Sequence, residues 1–166
     1  KSLVLVRHAK AVQWGYVDDF SRELTDRGKS DAAKVSACLK STKVIPDMII
    51  SSPALRAMQT ALIFADTFSF PAEKIIKDKE LYDGITTGEL IESIQNFPDE
   101  TECVFIFGHN PSFESYAREL CRSFDREMPT SSAVVIDFYE DSWEEINVRS
   151  GEPVNQISPK TLSPEN

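Results

Sequence analysis

Only two of the 166 residues are histidine, three are cysteine and six are glycine. Each shortage excludes something. The cysteines (Cys38, Cys103, Cys121) are odd in number and lack the close spacing of a metal knuckle, so no disulfide framework is expected and a reducing, cytoplasmic setting is. Two histidines without a nearby cysteine or acidic ligand motif fall short of the three or four ligands of a zinc site. Neither a P-loop nor a dinucleotide glycine fingerprint is present, and no metal or other cofactor is expected. No apolar run approaches the ~20 residues that span a bilayer, so no membrane partner is expected. No secretory signal is visible, and a start at Lys1 leaves open that something was removed. Positive charge is also short: 18 Lys and Arg stand against 27 Asp and Glu, a net charge of -9. A broad nucleic-acid surface is disfavoured, since phosphate backbones need a basic stripe. A small anion remains admissible, because a few local arginines outweigh distant charge.

What is present is a set of short apolar runs. Leu3 to Val6 has no polar alternation and reads as a strand buried on both faces, as in a parallel sheet; it stops at Arg7 and His8. Val104 to Phe107, within a strand from Cys103, is a second run of this kind and leads through Gly108 to His109. The stretch from Ala9 to Glu23 has no period and reads as a loop over the first strand end. Thr25 is placed to cap a helix running to about Ser41. Met48 to Ser51 reads as a strand. Ser52 and Pro53 are the cap and first position of a helix with Leu55, Met58, Ala61, Leu62 and Ala65 inward. Ile75 to Lys77 reads as a short strand, Asp83-Gly84 as a turn, and Thr87 to Phe97 as a helix. After Pro111 a helix is expected to about Cys121. Ala133 to Tyr139 and Trp143 to Arg149 read as a hairpin turning at Asp141 and Ser142. Residues 1–150 are taken as one domain and 151–166 as a tail of irregular surface chain.

Strands alternating with helices predict a mainly parallel sheet covered on both faces, with the strand-to-helix turns along one edge. Arg7, His8, Arg56 and His109 fall on those turns. Arg56, in the first turn of its helix, is a cation at a positive dipole end, which suits a shared anion; solvation or pairing with Glu73 or Glu80 is the plainer reading. Either histidine alone would more often be structural than catalytic. Together, two histidines and two arginines at three strand ends suit phosphoryl transfer, with His8 as nucleophile and His109 as a hydrogen-bond donor to the phosphoryl group.

At these residues the chain resembles the histidine phosphatase superfamily, and within it the small SixA-type phosphohistidine phosphatases. LVLVRHAKA (3–11), SRELTDRG (21–28), SSPALRAMQTA (51–61) and FGHNPSFE (107–114) carry the resemblance. It implies a three-layer α/β/α sandwich, a phosphoglycerate mutase-like, Rossmann-like sheet with one antiparallel strand. It also implies His8 as phosphate acceptor, with Arg7, Arg56 and His109 as the phosphate pocket. Ala9 stands where the superfamily usually has glycine, which reduces backbone freedom at that turn. Larger branches carry a glutamate proton donor; Asp83 stands about there, and Asp19, in Asp-x-x-Arg with Arg22, is the other candidate general acid or else an ion pair that orders the loop. Arg22 and Asn110 are candidate substrate contacts. The resemblance implies metal-independent removal of phosphate from phosphohistidine in a signalling protein, by a monomer. A small-molecule phosphomonoester phosphatase is the alternative in the same class, and a non-catalytic phosphate-binding module the alternative from another. Trp14, Tyr16 and Phe20 form either a packed loop or a partner surface beside the pocket.

Overall fold

The computed structural model describes residues 1–162. In chain order its elements are β1 (Ser2–Arg7), α1 (Asp26–Ser41), β2 (Met48–Ser51), α2 (Leu55–Thr67), β3 (Ile76–Lys77), α3 (Glu80–Asp83), α4 (Thr87–Gln95), β4 (Cys103–Gly108), α5 (Ser112–Leu120), β5 (Ala133–Phe138), β6 (Gly151–Ile157) and α6 (Pro159–Leu162). One six-stranded sheet runs in the order β3-β2-β4-β1-β5-β6. Strand β5 alone runs against the others, antiparallel to both β1 and β6.

The two unbroken apolar runs are neighbours at the centre, with Arg7 opposite Gly108 in a parallel ladder. Alternation along β1 assigns the layers. Leu3 and Leu5 pack with α4 and α5 through Leu90, Ile94, Phe113 and Leu120. Val4 and Val6 pack on the opposite face with α1 and α2 through Val35, Leu39, Ala61 and Phe64. All four β1 side chains have no exposure, and each such burial stabilises the fold by about 1.5–3 kcal/mol. The chain leaves β1 toward one layer and β4 toward the other. A crevice therefore opens at their carboxyl ends, where doubly covered sheets bind ligands.

Three sequence expectations need correction. Helix α2 starts at Leu55 behind Ala54, not at Pro53, and Ser52 does not cap it. Leu55 and Leu62 face solvent, while Ala57 and Phe64 take the inward positions with Ala61 and Ala65. The hairpin partner of β5 is β6, not Trp143–Arg149: Trp143–Glu145 is a short 3-10 turn whose Trp143 is buried and donates Nε1–H to the Thr101 carbonyl at 2.7 Å. Residues 151–157 are thus an edge strand instead of irregular chain, and Pro153 fits there because an edge strand has one unpaired side and the pairing slips between Val135 and Ile136. The last four residues of the expected tail lie outside the described residues.

Candidate active site

The ends of β1, β2 and β4 converge because their last residues are joined across the sheet: the His8 N–H bonds the Gly108 carbonyl at 2.9 Å and the Ser52 N–H bonds the Phe107 carbonyl at 2.9 Å. Beyond them a cavity of about 430 Å³ is lined by Arg7, His8, Arg22, Arg56, His109 and Asn110, with Lys10, Gln13 and Thr130. No carboxylate is among these residues. A dense cationic wall in an acidic protein suits an anion.

His8 is held in one tautomer. Its Nδ1 lies 2.7 Å from the Ala9 carbonyl, which only accepts, so Nδ1 carries the proton and Nε2 keeps its lone pair. Burial pushes the ring down to about 3, helped by His109, Arg56 and Arg7 and opposed by the Ala9 carbonyl. The imidazole is therefore neutral at physiological pH. Ala9 is buried, and its N–H donates to Thr60 Oγ1 at 3.0 Å, while the Thr60 hydroxyl donates to the Arg56 carbonyl at 2.7 Å. Ala9 is not among the positive-φ residues, so this turn does not need the freedom of glycine.

His109 lies with its ring centroid 5.2 Å from that of His8. Burial, then the charge of Arg56, lowers it to about 4, with Asp19 opposing. Its Nε2 is 2.7 Å from Ser52 Oγ, which also accepts the Ala54 N–H at 3.3 Å. With the Ser52 hydroxyl donating to Nε2, the ring proton of His109 sits on Nδ1, which is buried without a protein partner.

Arg56 is nearly buried in the first turn of α2, and its partner is neither Glu73 nor Glu80. It donates to the Asp19 carbonyl at 2.7 Å and to Asp19 Oδ2 at 3.0 Å. Asp19 also accepts from Tyr82 at 2.9 Å and from Arg22 Nη1 at 3.2 Å. Partial burial works against the Asp19 charge, but the bonds from Tyr82, Arg22 and Arg56 outweigh it and hold the carboxyl at about 2. Asp19 is thus an ionised brace behind two arginines, without a proton to give at neutral pH. Asp83 does not line the cavity; its half-exposed carboxylate pairs with Lys79 at 3.4 Å on the outside of α3.

The loop that carries Asp19 and Arg22 is fastened at both ends. Arg22 Nε bonds the Val12 carbonyl at 2.8 Å, and the Thr25 N–H bonds the Lys10 carbonyl at 2.9 Å. Thr25 caps α1 as expected, accepting the Gly28 N–H at 3.0 Å. Gly28 sits so near the Lys10 carbonyl that a Cβ would overlap it. Of the aromatic group in this loop, Tyr16 lies under the Arg22 guanidinium and Phe20 packs edge-on against Tyr82, whereas Trp14 is 86% exposed, beside Val17 at 96%.

On the other wall, Arg7 Nη1 bonds the Met128 carbonyl at 2.9 Å, and Asn110 Nδ2 bonds the same carbonyl at 3.1 Å. Burial lowers the Arg7 pKa, and the carboxylate of Glu114 opposes that fall. Sequence reasoning found the cavity's histidines and arginines but missed Lys10, Gln13, Thr130 and the braces Ser52, Thr60, Tyr82 and Glu114. Ser52 and Glu114 stand inside the quoted motifs, which was the available signal; Tyr82 had none. Among the described residues no group of three His, Cys, Asp or Glu side chains could hold a metal ion, and no helix is long and apolar enough to cross a membrane.

An α/β/α sheet with paired histidines and arginines at its central strand ends defines a phosphoryl-handling enzyme. The chain belongs to the histidine phosphatase superfamily, branch 1, whose family model matches residues 3–125. Within it the chain is of the SixA type: the structure of the protein histidine phosphatase SixA complexed with tungstate is 26% identical, with a TM-score of 0.84, over 98% of this chain and 100% of that one. An uncharacterised chloroplast protein of Arabidopsis thaliana is 29% identical over 91% of this chain and 72% of its own. Phosphoglycerate mutase 1 of Saccharomyces cerevisiae is 32% identical over 79% of this chain but only 50% of its own length.

Proposed function

We propose that this phosphatase removes the phosphoryl group from phosphohistidine on a protein, with His8 as the transient acceptor and without a metal ion. The observation that carries this reading is the protonation pattern of the site. His8 presents a neutral Nε2 inside a cationic cavity, and the two candidate acids offer no proton there: Asp19 is held ionised and Asp83 points outside. An alkoxide leaving group needs a proton donor, whereas a phosphoimidazole already protonated on its other ring nitrogen departs as neutral imidazole.

The steps balance without a further acid. His8 Nε2 attacks phosphorus in line, and the bond from phosphorus to the substrate nitrogen breaks with its electron pair leaving on the substrate imidazole. The phosphorylated His8 keeps its Nδ1–H on the Ala9 carbonyl, which favours the cationic ring so formed. Water then attacks phosphorus, the bond to Nε2 breaks, and inorganic phosphate leaves with the water's protons shared between phosphate and solvent. Arg7, Arg22, Arg56 and the His109 Nδ1–H hold the equatorial oxygens, where phosphoryl transfer needs charge stabilisation. Trp14 and Val17, exposed in the loop that also supplies Gln13 and Arg22, give a protein-borne phosphate an apolar surface to rest on. The match to a SixA structure holding tungstate, an oxyanion, supports the phosphate assignment of the cavity.

The test is phosphate release from a phosphohistidine protein in EDTA by the wild type and by His8→Asn, with para-nitrophenyl phosphate as second substrate. Turnover of the phosphohistidine protein that is lost in the variant is expected. Turnover of the phenyl ester alone would redirect the substrate to small molecules, and phosphate binding without turnover of either would leave a binding module.

A further inference from the structure

Glu114 lies in the first turn of α5 and does not line the cavity, yet it is bonded to the wall on which Arg7 and Asn110 sit. Its Oε2 accepts the Met128 N–H at 3.2 Å and Asn110 Nδ2 at 3.2 Å. Its Oε1 is taken by Arg118 at 2.6 Å, which fixes the plane of the carboxylate. The peptide that follows completes the arrangement: the Met128 carbonyl receives both Arg7 Nη1 and Asn110 Nδ2. Met128 is 1% exposed, so the groups on this segment cannot turn to water for other partners. One carboxylate oxygen thus sets the segment at Met128 and the Asn110 amide together, and that segment in turn orients Arg7.

We propose that Glu114 is a positioning residue, holding Arg7 and Asn110 in the orientation that receives the phosphoryl group. The inference rests on the reading of the cavity as a phosphate site, not on the identity of the phosphorylated substrate. Position and charge act here with opposite sign. A carboxylate near Arg7 weakens the cavity's attraction for an anion, so if Glu114 acted by charge alone, neutralising it would tighten phosphate binding. If it acts by position, removing the acceptor loosens Arg7 and Asn110 and weakens binding.

Three variants separate the cases: Glu114→Ala, Glu114→Gln, whose amide oxygen still accepts at the Oε2 place, and Glu114→Met, which keeps the stem's volume should alanine leave the chain unfolded. The readouts are the dissociation constant for inorganic phosphate by calorimetry and kcat/KM on para-nitrophenyl phosphate, both well below each variant's Tm. Phosphate binding about tenfold weaker in Glu114→Ala or Glu114→Met is expected, with kcat/KM falling in parallel and Glu114→Gln within about threefold of the wild type. Folded Glu114→Ala or Glu114→Met that binds phosphate as tightly as the wild type, or more tightly, overturns the proposal, even if its Tm is lower. A wild type that binds no phosphate would overturn the cavity reading itself and this inference with it, so the two failures are distinguishable.

Discussion

Ser52 Oγ and His109 Nε2 meet at 2.7 Å although 57 positions separate them in the chain. The hydroxyl stands at the end of β2 and the ring just past β4, so the contact is made by the sheet. With the hydroxyl as donor, it places the His109 proton on Nδ1.

Ser52→Ala removes that partner and frees the ring to take either tautomer. Activity should fall about tenfold on any phosphorylated substrate, since a donor to the phosphoryl oxygen is lost for part of the time. Steady-state kinetics on a phosphohistidine protein and on para-nitrophenyl phosphate check this, and unchanged kcat/KM on both would show that Ser52 does not orient His109.

Asp19→Asn distinguishes a brace from an acid. As a brace, Asp19 acts alike on every substrate, so the variant should lower kcat/KM by a similar factor, about three- to thirtyfold, on phosphohistidine and on the slow turnover of an alkyl phosphate that a site without a proton donor retains. A loss confined to the alkyl ester would make Asp19 a proton donor instead.

The two buried histidines also govern acid stability. Their folded values, about 3 for His8 and about 4 for His109, lie below the ordinary 6.5. The unfolded chain therefore binds more protons than the folded one between those limits. Their contribution is complete above pH 6.5 and drains away as pH falls toward 4, by at most about 1.4 kcal/mol per unit for each ring. Urea unfolding should show the wild type losing about 4 kcal/mol more than the double variant His8→Asn, His109→Asn between pH 6.5 and 4.5. Parallel stability curves would contradict the depressed values.

Gly28→Ala puts a methyl group against the Lys10 carbonyl, which the Thr25 N–H also uses. The expected cost is about 1–3 kcal/mol of stability, together with weaker turnover because the loop bearing Arg22 and Asp19 shifts. Thermal unfolding and kinetics test both parts; a variant with wild-type Tm would show that the two backbones have room to part.

How much of this was legible in the sequence follows from the range of the forces involved. Strands β1 and β4 were readable because a run buried on both faces leaves no polar residue until the chain reaches solvent, and for the same reason their ends announced Arg7, His8 and His109. The last hairpin was misread. Trp143 to Arg149 reads as a strand, but Trp143 and Ile146 are both buried at a spacing of three, which belongs to a tight turn and not to one face of a strand, whereas Gly151 and Pro153 argue against β6 until its edge position is known. The inward face of α2 is misjudged at Leu55 and Leu62, which face solvent while Ala57 and Phe64 fill the interior. Tyr82 and Glu114 reach the site only through tertiary contacts, which no local pattern records.

The parallel pairing of β1 with β4 has one more consequence. Since His8 and His109 follow directly on strands locked in register, their separation is set by the backbone ladder and not by any loop. Lys10, Gln13, Arg22 and Thr130, which close the cavity around them, come from connecting segments outside the sheet. The two imidazoles and the connecting segments that close the cavity are thus mechanically separate, and substitutions at Lys10, Gln13 or Thr130 can reshape the cavity while the two imidazoles stay where they are.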